Sequence, residues 1–188
     1  TVAPNLLERL AYRHVVRKGY GVAVRRALSL GADLEVAGPV VADTGVLVGG
    51  AITLQLDLSN IALRARVRYA QSRSENAHLA LDQHLVGIDL GIYHVFDLGP
   101  HGLGFGVRGG LDWLAQRFDS DGLAPDRNLV VGRVGPFARA ELALGPSVAL
   151  QLDLGAEMYL VDTTASDGTT ALQPRVVPTA ALGFGIQL

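Results

Sequence analysis

Val-Leu-Val-Gly-Gly-Ala-Ile-Thr-Leu-Gln-Leu-Asp-Leu, residues 46–58, is the stretch from which the fold is read. Val46, Val48, Ile52, Leu54, Leu56 and Leu58 fall on one parity; Gly49, Ala51, Thr53, Gln55 and Asp57 fall on the other. A strand turns successive side chains to opposite faces, so one face here is continuously apolar and the other small or polar.

The same two-residue period recurs on both sides of it, over residues 28–36, 61–69, 86–92, 103–113, 134–144, 148–160 and 176–188. With 46–58 this predicts eight strands. Tight turns separate alternate pairs, at Ser59-Asn60, Gly99-Pro100-His101-Gly102 and Gly145-Pro146-Ser147. The remaining links, 38–43, 71–83, 119–128 and 162–174, are read as longer and polar. Short turns after the second, fourth and sixth strands and longer links elsewhere are the signature of an up-and-down barrel.

Composition limits what such a barrel can be. The 188 residues are 49% hydrophobic and 18% charged, with 23 glycines and a net charge of −2. A chain this apolar folds, and it has no basic field to hold nucleic acid by its phosphates. Without cysteine there is no disulfide, thiolate nucleophile or cysteine metal site. Lys18 is the single lysine among 16 basic residues, whereas a water-facing surface normally carries many. No run reaches the roughly 18–20 apolar residues of a spanning helix. The opening Thr-Val-Ala-Pro is not a signal peptide, and the start reads as processed, with a preceding segment expected.

Alternation alone does not say which face is inside. An apolar interior would make a soluble, lipocalin-like carrier of apolar ligands. Three features favour the opposite. The polar face is rich in Gly and Ala, which suits a narrow packed lumen. Its charges balance, with Arg25, Arg64, Arg66, Arg68, Arg108, Arg133, Arg139 and Arg175 against Asp33, Glu35, Asp57, Asp89, Asp112, Glu141, Asp153 and Glu157. Unpaired buried charge is costly, so balance is what an interior needs. The apolar face is aliphatic and uncharged through its middle, with Tyr20, Phe96, Phe105 and Phe184 toward one end and Tyr69 and Trp113 toward the other. The residues expected to carry the lumen network are Arg64, Arg66, Arg68, Arg108, Arg139, Asp57, Asp89, Asp112, Glu141, Asp153 and Glu157, with Arg139 opposite Asp153.

On this pattern the chain resembles the small OmpA/OmpX-type family of eight-stranded outer-membrane barrels, over residues 19–188. Leu188 stands where barrels of that family usually close on an aromatic residue. The resemblance implies the outer membrane of a Gram-negative bacterium, with lipid and lipopolysaccharide as surroundings and a periplasmic N-terminus. The expected fold is all-β: an eight-stranded antiparallel transmembrane barrel over 20–188, preceded by a short amphipathic helix over 1–19. Asn5 and Glu8 form a capping box for that helix, and Gly19 ends it. Lying on the periplasmic side, it latches the barrel, plugs its mouth or docks a periplasmic protein partner. Arg26 is expected to snorkel at that interface.

Chemistry is sparse. Ser72, Ser74, Glu75, His78, Asp82 and His84 gather near the second long link, as a Ser-His-acid set does in lipid A deacylase barrels, but no His-X-Ser-Asn run accompanies them. The lipid A palmitoyltransferase also places a helix before eight strands. His14, His78, His84, His94 and His101 lack zinc spacing, and Asp119-Ser120-Asp121-Gly122 lacks the closing Glu of a calcium loop. No cofactor, metal or catalytic residue is therefore assigned; acidic loops collecting divalent cations that bridge lipopolysaccharide are the residual metal reading. Eight strands enclose a lumen that side chains just fill, which disfavours a pore. Were water to cross it, Arg64, Arg66 and Arg68 would select anions. The expected role is structural, anchoring or adhesive in the envelope.

Overall fold

A computed structural model describes residues 28–40, 44–58, 60–75, 80–98, 101–119, 126–145, 147–164 and 170–188. The expected helix over 1–19, with Tyr20, Arg25 and Arg26, lies outside the described residues. Eight strands run β1 (Leu28–Ala37), β2 (Leu47–Leu58), β3 (Ile61–Glu75), β4 (Ala80–Leu98), β5 (His101–Asp119), β6 (Arg127–Ala143), β7 (Val148–Thr164) and β8 (Thr170–Gln187). Each pairs antiparallel with its sequence neighbour, and β1 pairs with β8, closing the barrel. Closure removes both sheet edges, so every strand finds its ladder partners inside the chain, as a spanning sheet requires.

The links after β2, β4 and β6, together with Leu28 and Gln187, share the turn end; the other links form the loop end. At the loop end the strands outrun the sequence reading. β3 continues to Glu75 and β4 begins at Ala80, so most of the expected 71–83 link is strand; β7 and β8 shorten the 162–174 link in the same way. The physical reason is that the ladder continues beyond the lipid. There an outward side chain no longer needs to be apolar, so the period-two hydrophobic signal fades while the hydrogen bonds persist.

Alternation points the apolar face out. Leu90 is 71% exposed on β4, whereas Arg66, beside it on β3, is 2% exposed. The apolar-interior carrier is thereby excluded, because a water-soluble barrel places these two faces the other way. From Ile61 to Tyr69 the outward side chains of β3 cover roughly the 9–11 residues a tilted strand needs to cross lipid. Tyr69 and Trp113 edge this band at the loop end, and His94, Phe96, Phe105 and Phe184 at the turn end. Phe96 and Phe105 are diagonal rather than directly opposed: His94 is the ladder partner of Phe105, and the two phenyl centroids lie 6.2 Å apart. Beyond Tyr69 the outer surface turns polar, with Arg73 3.9 Å from Asp82 and both well exposed.

Leu90 lies midway along its strand's lipid face. Leu90→Arg should lower unfolding free energy in liposomes by about 2–4 kcal/mol, the cost of arginine near a bilayer midplane. A denaturant titration giving a change within about 0.5 kcal/mol, typical of a water-facing site, would place that face outside lipid.

Candidate functional site in the lumen

The inward parity of every strand fills the lumen in three layers. At the loop end the filling is apolar: Leu47, Leu85, Leu114, Val131, Val161 and Val177 pack as one buried cluster that includes Tyr159. At the turn end a second cluster forms around Tyr93 and Phe137, whose rings meet edge to face at 5.5 Å. Neither was read from the sequence. The signal was present in apolar residues on the polar parity of their strands, which a search for alternation treats as exceptions.

Between these layers and alongside the turn-end one lie six buried arginines, Arg64, Arg66, Arg68, Arg108, Arg133 and Arg139, and six buried carboxylates, Asp33, Glu35, Asp89, Asp112, Asp153 and Glu157. Their contacts close a ring. Glu35 accepts from Arg66 at 2.9 Å, and Arg66 Nε donates to Asp89 at 2.9 Å. Asp89 accepts from Arg133 at 2.6 Å, Arg133 contacts Asp112 at 3.0 Å, Asp112 pairs with Arg68, and Arg68 returns to Glu35 at 2.6 Å. Glu157 sits within the ring. It accepts from Arg108 at 2.5 Å and Arg133 at 2.9 Å, and lies 3.7 Å from Arg68 and 4.0 Å from Arg66. The Arg68 guanidinium also donates to the Tyr159 hydroxyl, tying the ring to the apolar layer above it. Toward the turn end a second string runs from Asp33 through Arg64 to Asp153, then to Arg139 and Glu141.

Room for these long side chains comes from register. Gly87 is the ladder partner of both Arg68 and Asp112, and Gly110 of both Asp89 and Arg133. A Cβ built at Gly87 would overlap the Asp112 carboxylate and approach Arg68 Nε to 3.3 Å. The Gly-rich polar face of the sequence is therefore the space into which its charges fold.

The expected residues distribute unevenly. Arg64, Arg66, Arg68, Arg108, Arg139, Asp89, Asp112, Asp153 and Glu157 lie buried in the network, and Arg139 is the register partner of Asp153. Asp57 and Glu141 lie at its turn-end margin, partly exposed. Arg175 is half-buried toward the loop end and joins no ion pair among the described residues, because its β8 position lies beyond the ring. Arg133, Glu35 and Asp33 carry as much of the network as the residues first singled out.

Among the described residues the candidate nucleophile set does not assemble. Ser72 turns inward and donates to Gln83 at 3.0 Å, while His84 is on the outer parity with its Nδ1 2.9 Å from the Tyr69 hydroxyl. Asp82 and Glu75 are exposed beside Arg73, and His78 lies outside the described residues. Among the described residues no group of three or more His, Asp or Glu side chains is placed to hold a metal. An apolar concavity of about 470 Å³ opens on the outer face over Ile52, Val67, Leu90 and Leu111, on the lipid side of the wall.

No family model matches the chain, and no curated protein matches its sequence. Solved structures do match. Neisserial surface protein A superposes with a TM-score of 0.63 at 14% identity, covering 86% of this chain and 97% of that one. A major outer membrane protein from Thermus thermophilus gives 0.57 at 17% identity, covering 86% and 98%. Ail, the attachment invasion locus protein of Yersinia pestis, in complex with the heparin analogue sucrose octasulfate, gives 0.51 at 13% identity, covering 85% and 95%. The chain has the fold of small outer-membrane β-barrels, with the transmembrane wall and polar interior that fold entails.

Removing Glu157, which is fully buried, leaves four arginines short of a carboxylate. Glu157→Ala should destabilise the barrel by about 3–5 kcal/mol in a denaturant titration; a cost below about 1 kcal/mol would mean the ring does not hold the wall. Gly87→Ala should cost about 1–3 kcal/mol by overpacking, although alanine is normally better tolerated than glycine within a strand.

Proposed function

We propose that the protein is a non-enzymatic envelope protein of the outer membrane, whose lumen is a structural plug and whose role is to stabilise or anchor. One observation carries this reading: six buried arginines and six buried carboxylates pair with one another inside the lumen, leaving the centre of the barrel occupied. A solute pathway needs groups that bind weakly enough to release, whereas these guanidiniums are each held by fixed carboxylates. The ladder Arg64, Arg66, Arg68 is thus spent on internal pairs rather than offered to anions.

Catalysis finds no support, since Ser72 and His84 stand on opposite sides of the wall. Polyanion adhesion is not carried over from Ail either. The links 38–46, 76–79, 120–126 and 165–169 contain Asp43, Asp121, Asp126 and Asp167 and no arginine or lysine. That charge favours divalent cations shared with lipopolysaccharide over a sulfated ligand. Anchoring, through a periplasmic partner at residues 1–19, is the role left with a positive feature of the chain behind it.

Refolded into detergent, the protein should migrate faster on a gel before heating than after, and in a planar bilayer it should give a silent trace. Steady single-channel conductance from a heat-shifting preparation would overturn the plug and reinstate an anion-preferring pore.

A further inference from the structure

Two arginines stand on the outside of the wall. Among the described residues Arg73 and Arg117 are the arginines of outward parity; every other one lies in the lumen network or shares its parity, as Arg127 does opposite buried Gln116. Each outward arginine follows an aromatic residue of the loop-end band by four positions on the same face, Arg73 after Tyr69 and Arg117 after Trp113. Four residues cover about 13 Å along a strand, and less along the membrane normal once the strand tilts. With Tyr69 and Trp113 at the edge of the hydrocarbon, both guanidiniums lie among the headgroups of the loop-end leaflet.

Strand register arranges what surrounds them. The first ladder row beyond the aromatics is Gln71, His84, Ala115 and Asn128. The second is Arg73, Asp82 and Arg117, two cations about one carboxylate, and the third places Glu75 and Asp119 on either side of Ala80. Positive charge thus lies next to the lipid and the further acids beyond it. Arg73 is occupied, 3.9 Å from Asp82 and 3.7 Å from Glu75, whereas Arg117 joins no ion pair among the described residues. Ala115 is half-buried, with His84 and Asn128 about 5 Å to either side and Trp113 and Arg117 about 7 Å before and after it. Four larger side chains around one methyl leave a shallow niche. His84 has its Nδ1 2.9 Å from the Tyr69 hydroxyl, so Nε2 is the nitrogen left for a ligand.

Three chemistries meet in this niche. A guanidinium free of carboxylates suits a phosphate, an indole with an amide and an imidazole suits a sugar ring and its hydroxyls, and the aliphatic wall next to them suits acyl chains. We infer that the niche over Ala115 is a headgroup site for a phosphorylated glycolipid. Arg117 holds the phosphate with Arg73 as the second cation, His84 and Asn128 meet sugar hydroxyls, and Trp113 covers the ring. The inference deepens the envelope reading and rests on the loop end facing the outer leaflet.

Trp113 is the single tryptophan of the chain, so its emission reports on the niche directly. The full chain, refolded in detergent with EDTA present, is titrated with bisphosphorylated lipid A, with the same glycolipid stripped of its phosphates, and with phosphatidylglycerol. Lipid A should change the emission saturably, and the other two should bind at least about tenfold more weakly. Arg117→Gln should weaken lipid A binding by about tenfold, the effect of losing a hydrogen bond to a charged group. Arg175→Gln, on the inward face of β8, should leave it unchanged, with the heat shift confirming that each barrel is folded. Unchanged affinity in Arg117→Gln, or equal binding of the dephosphorylated glycolipid, would overturn the proposal. Equal binding of phosphatidylglycerol would give the niche to phospholipid instead. Binding only once magnesium replaces EDTA would overturn it as well, giving the site to a cation beside Glu75 and Asp119. A heat-shifting barrel with a silent bilayer trace and no emission change would sink the niche and leave the plug standing.

Discussion

Glu157 is the group on which the interior depends. Within 4.0 Å of its Oε1 and Oε2 lie guanidinium nitrogens of Arg66, Arg68, Arg108 and Arg133, contributed by three strands other than its own. A carboxylate with no exposure is tolerable only because those charges surround it, and four clustered arginines are tolerable only because it stands among them with the three carboxylates of the ring. The arrangement couples the strands: β1, β3, β4, β5, β6 and β7 each place a charge in it, and Arg108 reaches β8 through Thr179 at 2.7 Å. A lumen held this way resists sliding of one strand past another, since a shift of one residue would turn every charged side chain into lipid.

The layers above and below explain why the network is buried. An ion pair near water is worth little, whereas a pair walled off from it is intolerant of losing either partner, because the charge left behind is uncompensated. The apolar cluster around Leu85 and Leu114 covers the loop-end side, and Tyr93 and Phe137 narrow the turn-end side, with Arg108 5.4 Å from the Phe137 ring centre. The lumen is thus built like the core of a globular protein inside a wall whose outside is built for lipid. Fold alone does not assign activity. Here the centre is filled with side chains engaged in one another, and among the described residues Ser72 and His84 stand on opposite sides of the wall.

Much of this was legible in the sequence. The strict alternation in residues 46–58 and 61–69 requires a two-faced sheet, and the spacing of tight turns gives the strand order. Nine of the eleven residues singled out for the lumen network lie buried in it. The strand ends at Glu75 and Thr164 were not legible, because hydropathy stops marking a strand once it leaves lipid while backbone hydrogen bonding does not stop. The apolar layer was missed for a related reason: Leu114 and Val131 occupy polar-parity positions, and only the closed barrel brings them together from separate strands.

Local periodicity and charge balance belong to the sequence, because each is set by the side chains of consecutive residues and needs no distant partner. Which arginine meets which carboxylate belongs to the tertiary structure. Arg68 meets Glu35 and Asp112, and Arg64 meets Asp153, across sequence separations of 33, 44 and 89 residues. Those pairings follow from the curvature that closes β1 on β8, which no stretch of consecutive residues encodes.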